Sequence, residues 1–200
     1  MDYYVYTDGA CSNNGKPNAK AGYGVYFGKD DYRNVSKKVE GKQSNNTGEL
    51  MALIEAYRII ENDVKEGKKI TVFTDSKYCL LCLGSYGDKC SNTEWNKDIP
   101  NKELVRTLYD SYKNSGVIVK HVLAHTGKQD EHSKGNAEAD RLANEGIGVF
   151  TKREEVIFLN VPYSLKEEAK KLGAKWNPKK KKWYIEPNNV NKNILIEKYL

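Results

Sequence analysis

Four acidic residues stand in short runs whose neighbours could aim a carboxylate inward: Asp8 in Tyr6-Thr7-Asp8-Gly9-Ala10, Glu49 in Asn45-Asn46-Thr47-Gly48-Glu49-Leu50, Asp75 in Thr74-Asp75-Ser76, and Asp140 in Gly135-Asn136-Ala137-Glu138-Ala139-Asp140-Arg141-Leu142-Ala143. Packed together without a cation, four carboxylates repel and raise one another's pKa. Oxygen ligands with no neighbouring His or Cys pair suit Mg²⁺, with Mn²⁺ as a substitute. Two such ions about 4 Å apart suit in-line attack on a phosphodiester. Taken one at a time, each acid reads equally well as a turn residue or as a complement to the positive end of a helix.

The elements around these acids decide whether they can meet. Tyr3 to Thr7 and Ile70 to Thr74 are β-rich runs that each end at an acid, and strand ends are where open α/β sheets keep their sites. Gly22 to Phe27 and Tyr32 to Val39 read as two further strands in an antiparallel meander with the first. The stripe Leu50, Leu53, Ile54, Tyr57 and Ile60 predicts a long helix with Thr47 as its N-cap, placing Glu49 in the first turn. Ser76 caps a short apolar helix, and a helix from about Asn101 to Tyr112 and a strand from Val117 to Leu123 follow. A last helix, from Asn136 to about Glu145, holds Asp140 in its first turn, where Ala137, Ala139 and Ala143 permit close approach. Strand, turn and helix alternate as in an α/β layer, with a fourth and fifth strand parallel to the first.

Charge divides the chain. Lys and Arg total 33 against 27 Asp and Glu, but residues 1–150 carry 21 of each sign, whereas residues 151–200 carry 12 basic and 6 acidic. The surplus belongs to the last quarter. We expect a first domain over residues 1–148, a linker over 149–155, and a small basic α+β domain over 156–200. No run is long and apolar enough for a membrane span, and the start, Met1-Asp2-Tyr3-Tyr4, lacks the order of a signal peptide. Four cysteines are too few for a disulfide framework, so an intracellular location, cytoplasmic or nucleoid/nuclear, is expected. Cys79-x-x-Cys82 lacks the further ligands of a zinc site and reads as buried helix thiols.

In their order and local wording, the four acidic motifs resemble type 1 ribonuclease H from about Tyr3 to Gly146. The resemblance implies a mixed five-stranded sheet flanked by helices. It implies an endoribonuclease that hydrolyses the RNA strand of RNA–DNA hybrids by a two-metal mechanism, leaving 5′ phosphate and 3′ hydroxyl ends, as a monomer. Asp8, Glu49, Asp75 and Asp140 would be the metal ligands. His125, followed by Thr126-Gly127, stands where the family keeps a loop histidine that assists turnover. It precedes Asp140 by more residues than in many relatives, and His132 is the second candidate, while His121 reads as an ordinary surface histidine.

By the same resemblance, Asn14, Asn45 and Asn46 are placed to read the minor groove and the 2′-hydroxyls that separate RNA from DNA. Lys42, Ser44 and Asn101 correspond to a DNA-strand phosphate pocket and Trp95 to an aromatic of the DNA channel, although a core tryptophan is an equal reading of Trp95. The basic helix by which many relatives grip the duplex is missing between Leu83 and Asn101.

The C-terminal domain offers another grip. Trp176, Lys179, Lys180, Lys181, Lys182 and Trp183 pair phosphate-neutralising charge with stacking surface. The alternative is that the aromatics form a small core and the lysines a solvated turn. From Leu159 to Tyr184 this part also resembles a short module of unknown function in phage and mobile-element proteins.

Two other functions remain open on sequence. A catalytically weak hybrid-binding protein would fail to cleave in Mg²⁺. Another nuclease of the ribonuclease H-like superfamily would prefer a DNA or RNA duplex to the hybrid.

Overall fold

Val5, with Tyr3, Tyr4 and Tyr6, starts a strand that runs further than the turn-like Asp8-Gly9 suggests. In the computed structural model, strand β1 is Tyr3–Ser12, and Asp8 lies inside it. Pairing is the reason. Strand β2 (Lys20–Tyr26) lies antiparallel to it from Tyr6 opposite Tyr26 to Ser12 opposite Lys20, so the backbone groups of residues 8–12 are satisfied in a ladder instead of a loop. The residues described are 2–124, 130–149, 156–178, 180–185 and 189–200.

Strand β3 (Val35–Lys38) is shorter than the Tyr32–Val39 run, because Asn34 closes a turn before it: its Oδ1 accepts from the Phe27 amide at 2.8 Å and its Nδ2 donates to the Gly28 carbonyl at 2.8 Å. Strands β4 (Ile70–Thr74) and β5 (Ile118–His121) run parallel to β1, giving the order β3-β2-β1-β4-β5.

Helix α1 (Asn45–Lys65) begins five residues before the apolar stripe. Its cap is Ser44, whose Oγ accepts from the Thr47 amide at 3.2 Å, and not Thr47, which is buried inside the first turn. Helices α2 (Lys77–Leu83), capped by Ser76 as expected, α3 (Ser85–Ser91) and α4 (Lys102–Tyr112) follow. Helix α5 (Glu131–Gly146) starts at the cap Asp130, so Asp140 lies well inside it and not in its first turn. The early start escapes an apolar-pattern reading because its first turn is polar. It is held by His132, stacked on Phe73 with ring centroids 4.2 Å apart, and by Gly135, where a Cβ would meet the Tyr6 ring at 2.5 Å.

Successive residues of β1 face opposite ways, and this sorts the layers. Val5 belongs to the main core with Val72, Leu50, Leu53 and Leu108, on the side of α1 and α4. Tyr6 belongs to a second cluster with Phe73, Val122 and Ala139, on the side of α5. Among the described residues, no helix is long and apolar enough to cross a membrane.

The chain divides into two compact units, residues 1–151 and 152–200. Val149, at the start of the expected linker, is exposed, and residues 150–155 lie outside the described residues. The second unit has three antiparallel strands in the order β6-β8-β7: β6 (Ile157–Leu159), β7 (Lys175–Asn177) and β8 (Lys182–Ile185). Helix α6 (Lys166–Lys171) and a C-terminal helix, α7 (Lys192–Tyr199), which the sequence reading did not foresee, complete it. Its core is Leu159, Ala169, Ala174, Trp183, Ile185, Leu195 and Tyr199.

Candidate active site

The parallel ladder of β1 and β4 ends with Thr7 beside Thr74. The next residue on each strand is therefore an acid, and Asp8 and Asp75 stand side by side where β4 stops and the chain turns into α2. Glu49 arrives from α1, which lies directly on β1 because Gly9 has no side chain: a Cβ there would sit 2.2 Å from the Glu49 backbone nitrogen. Asp8, Glu49 and Asp75 each present a carboxylate oxygen, and the three oxygens lie within 4.8 Å of one another.

Few partners offset this concentration of charge. Asp8 Oδ1 accepts from the Gly9 amide at 2.7 Å, Asp75 Oδ2 from Asn136 Nδ2 at 3.1 Å, and Glu49 Oε1 from Asn45 Nδ2 at 3.4 Å. Glu49 Oε2 is buried with no hydrogen-bond partner. Burial, and then the charges of Asp75 and Asp140, push the Asp8 carboxyl up to about 8. Burial, Asp8 and Asp75 likewise hold Glu49 well above the usual carboxylate range. A buried carboxylate oxygen without a donor costs free energy that a bound cation would recover. The donor set is all oxygen, which fits a hard divalent cation.

The fourth acid is placed differently. Asp140 shares the open cleft of about 550 Å³ that contains the other three, and its charge is felt at Asp8. It stands outside the close triad, with Oδ1 accepting from Asn144 Nδ2 at 2.9 Å. Helix α5 comes near because Gly24, opposite Asp8 in β2, has no side chain: a Cβ there would lie 2.2 Å from the Ala139 carbonyl oxygen.

Sequence reasoning missed Asn136 and Asn144, which stand four residues before and after Asp140 and so share its helix face. Placing Asn136 at the helix start hid that i, i+4, i+8 pattern. Tyr78 also lines the cleft and was overlooked. Asn101 holds left-handed backbone at φ 57° ahead of α4.

Of the expected substrate contacts, Asn45 and Asn46 line the cleft, and Asn14 Oδ1 accepts from the Asn45 amide at 3.2 Å, so the first loop is tied to the start of α1. Lys42 is exposed just ahead of them, and Ser44 is engaged as the helix cap. Trp95 is 7% exposed and packs edge-on against Tyr109 with centroids 5.9 Å apart, which favours the core reading of the two that the sequence offers.

His125 lies outside the described residues. His132, the second candidate, is engaged in packing, its Nδ1 3.1 Å from the Tyr6 hydroxyl and its ring on Phe73. His121 does more than a bland surface residue would, since its Nε2 is 3.2 Å from the Asp75 backbone oxygen. Cys79 and Cys82 are buried free thiols, and burial pushes Cys82 up to about 11, far from a reactive thiolate.

In the second unit, Lys180, Lys181 and Lys182 are exposed, and Lys179 lies outside the described residues. Trp176 is 48% exposed. Trp183 is 9% exposed and shares the inner sheet face with Leu159 and Ile185, as the small-core alternative has it.

Comparison with known proteins matches residues 1–148 to the RNase H family and residues 157–195 to a domain of unknown function, DUF5710. Ribonuclease H1 of Mus musculus is 34% identical over 146 residues, covering 71% of this chain and 49% of that protein. The chain thus spans about half the length of that relative. Ribonuclease H of Orientia tsutsugamushi (strain Boryong) is 36% identical over 149 residues, covering 71% of this chain and 80% of that protein. A solved structure of the foamy viral protease-reverse transcriptase in complex with RNA/DNA hybrid superposes with a TM-score of 0.57 at 18% identity, covering 72% of this chain and 20% of that one. At that identity the likeness shows the fold.

Proposed function

This chain belongs to the RNase H family through residues 1–148, and from that premise we propose that it is an endonuclease hydrolysing the RNA strand of RNA–DNA hybrids. The observation that carries the reading is the acidic triad Asp8, Glu49 and Asp75, with its one buried, unpartnered oxygen on Glu49. The ribonuclease H names of its relatives and the hybrid bound by a protein of the same fold support the substrate class.

Asp8, Glu49 and Asp75 would hold one Mg²⁺ and Asp8 with Asp140 a second, Mn²⁺ substituting. The position of Asp140 outside the triad favours two sites over one. When bound, such ions would neutralise the carboxylates, activate a water and stabilise a leaving 3′ oxygen, and the products would then carry 5′ phosphate and 3′ hydroxyl. The protein's own part is to hold the carboxylates still. Asn136 orients Asp75, Asn144 orients Asp140, and the Gly9 amide orients Asp8. Asn45 and Asn46 line the cleft, where short amides can meet 2′-hydroxyls, with Asn14 bonded to the Asn45 amide, and Lys42, Ser44 and Asn101 would receive a phosphate of the DNA strand. His125 remains the proposed residue for turnover. The basic unit over residues 156–200 would raise hybrid affinity, offsetting the neutral charge of residues 1–150.

A cleavage time course on a labelled hybrid, with Mg²⁺ or EDTA and with Asp75→Asn, tests the reading. Cleavage only by the unsubstituted chain with Mg²⁺ is expected. Binding without cleavage would make it a hybrid-binding protein, and faster cleavage of a DNA or RNA duplex would make it another nuclease of the superfamily.

A further inference from the structure

In the small sheet, directly opposed residues share a face. The row Leu159, Trp183 and Trp176 points to the core side, and the next row along, Phe158, Tyr184 and Lys175, points the other way. The burial agrees: Leu159 and Trp183 belong to the core of this unit, whereas Phe158 and Tyr184 are half-buried and lie outside it. Their rings are neighbours, with centroids 6.3 Å apart. Lys182 and Asn177 extend the same face, and Lys180 places its ammonium 4.6 Å from the centre of the Phe158 ring. That ring face meets a charged, exposed side chain instead of an apolar layer.

We propose that this outer sheet face binds an unpaired stretch of nucleic acid, with bases stacking on Phe158 and Tyr184 and phosphates held by Lys180 and Lys182. Aromatic platforms need bare base faces, which a single strand offers and the interior of a duplex does not. The twofold excess of basic over acidic residues in 151–200 matches a polyanion. A one-residue shift in β8 thus separates two roles that a reading by composition merges: Trp183 holds the fold, and Tyr184 meets the ligand. The inference deepens the proposal that this unit holds nucleic acid, and it stands apart from catalysis.

The test is fluorescence anisotropy of a short labelled oligothymidylate with the full chain in EDTA, at low salt, with unlabelled oligothymidylate or a blunt DNA duplex as competitor. The unsubstituted chain should bind. Phe158→Leu and Tyr184→Leu should each weaken binding about 5- to 100-fold with unaltered thermal unfolding, since stacking contributes ~1–3 kcal/mol per base, while Tyr184→Phe keeps the ring and the affinity. Unchanged affinity in both leucine variants would overturn the assignment to this face and leave the unit's general role standing. A blunt DNA duplex that competes as well as the single strand would overturn the preference for unpaired bases. Absence of oligothymidylate binding by the unsubstituted chain would overturn this inference, while the hybrid cleavage assay would still stand or fall separately.

Discussion

The two units treat charge in opposite ways. The first is neutral in sum yet buries Asp8 and Glu49 almost fully, with Asp75 beside them and Asp140 in the same cleft. The second is strongly basic and keeps Lys180, Lys181 and Lys182 in solvent. Buried like charge is costly and survives only where a rigid frame holds it, here the paired strands β1 and β4 clamped by α1. Exposed charge costs little to keep and is suited to attracting a polyanion, but it cannot place one atom with the precision that bond cleavage needs. On the proposed function, chemistry and grip would therefore sit in separate bodies.

The sharpest way to break this contrast is to remove one buried acid. Asp75→Asn should lower hybrid cleavage by about 10³-fold or more, because no side chain replaces the lost cation ligand, while oligothymidylate binding by the second unit persists. Parallel rate and anisotropy measurements on one preparation check this. Equal loss of both would show that the units do not divide the work.

Next in size is a pair within the second unit. Trp183→Ala should destabilise that unit by about 3–5 kcal/mol, and Trp176→Ala, half exposed, by much less. Denaturant melts followed by aromatic fluorescence separate the two, and equal effects would contradict the difference in burial between these two residues of one sheet face.

A third test uses pH. In the unfolded chain Asp8 titrates near the ordinary carboxylate value of about 4, whereas in the fold it is pushed up to about 8, with Glu49 raised in the same direction. Between those values the folded protein keeps protons that the unfolded one loses, so stability in EDTA should fall as pH rises from about 4 to about 8. Mg²⁺ should restore stability more at pH 8 than at pH 5, by about 2–3 kcal/mol at a hundredfold excess over its Kd. A melting temperature that ignores both pH and Mg²⁺ would count against the cation site.

The smallest effect is expected from the solvent side. Replacing Lys180, Lys181 and Lys182 together by Ala should raise KM for the hybrid several-fold and reduce the slope of log affinity against log salt by up to about 2–3, with little change in kcat. An unchanged salt slope would remove these lysines from the grip.

Much of the site was legible because its signals are local. Thr7-Asp8 and Thr74-Asp75 carry the same dipeptide at the end of two β-rich runs, and parallel pairing in register makes neighbours of them. Ser76 as a cap and the α1 stripe are short-range patterns of the same kind. The errors arose where a distant partner overrode the local preference. Asp8-Gly9 reads as a turn until β2 pairs across it, and Glu131 to Gly135 reads as a loop until His132 finds Phe73. Trp95 and Trp183 read equally as stacking surfaces or as core until the fold buries them.

The order of the four acids, the strand and helix periods that carry them, the family and the asymmetry of charge all follow from the sequence alone, because each depends on residues near one another in the chain. Which carboxylates come within reach, and which aromatic of an adjacent pair turns outward, was decided by tertiary structure. Those outcomes depend on register and on close approach at Gly9 and Gly24, where the absence of one Cβ lets a helix settle against a strand from far away in the chain. A single-residue shift in strand pairing exchanges inside for outside, so Trp183 and Tyr184 received opposite fates from neighbouring positions.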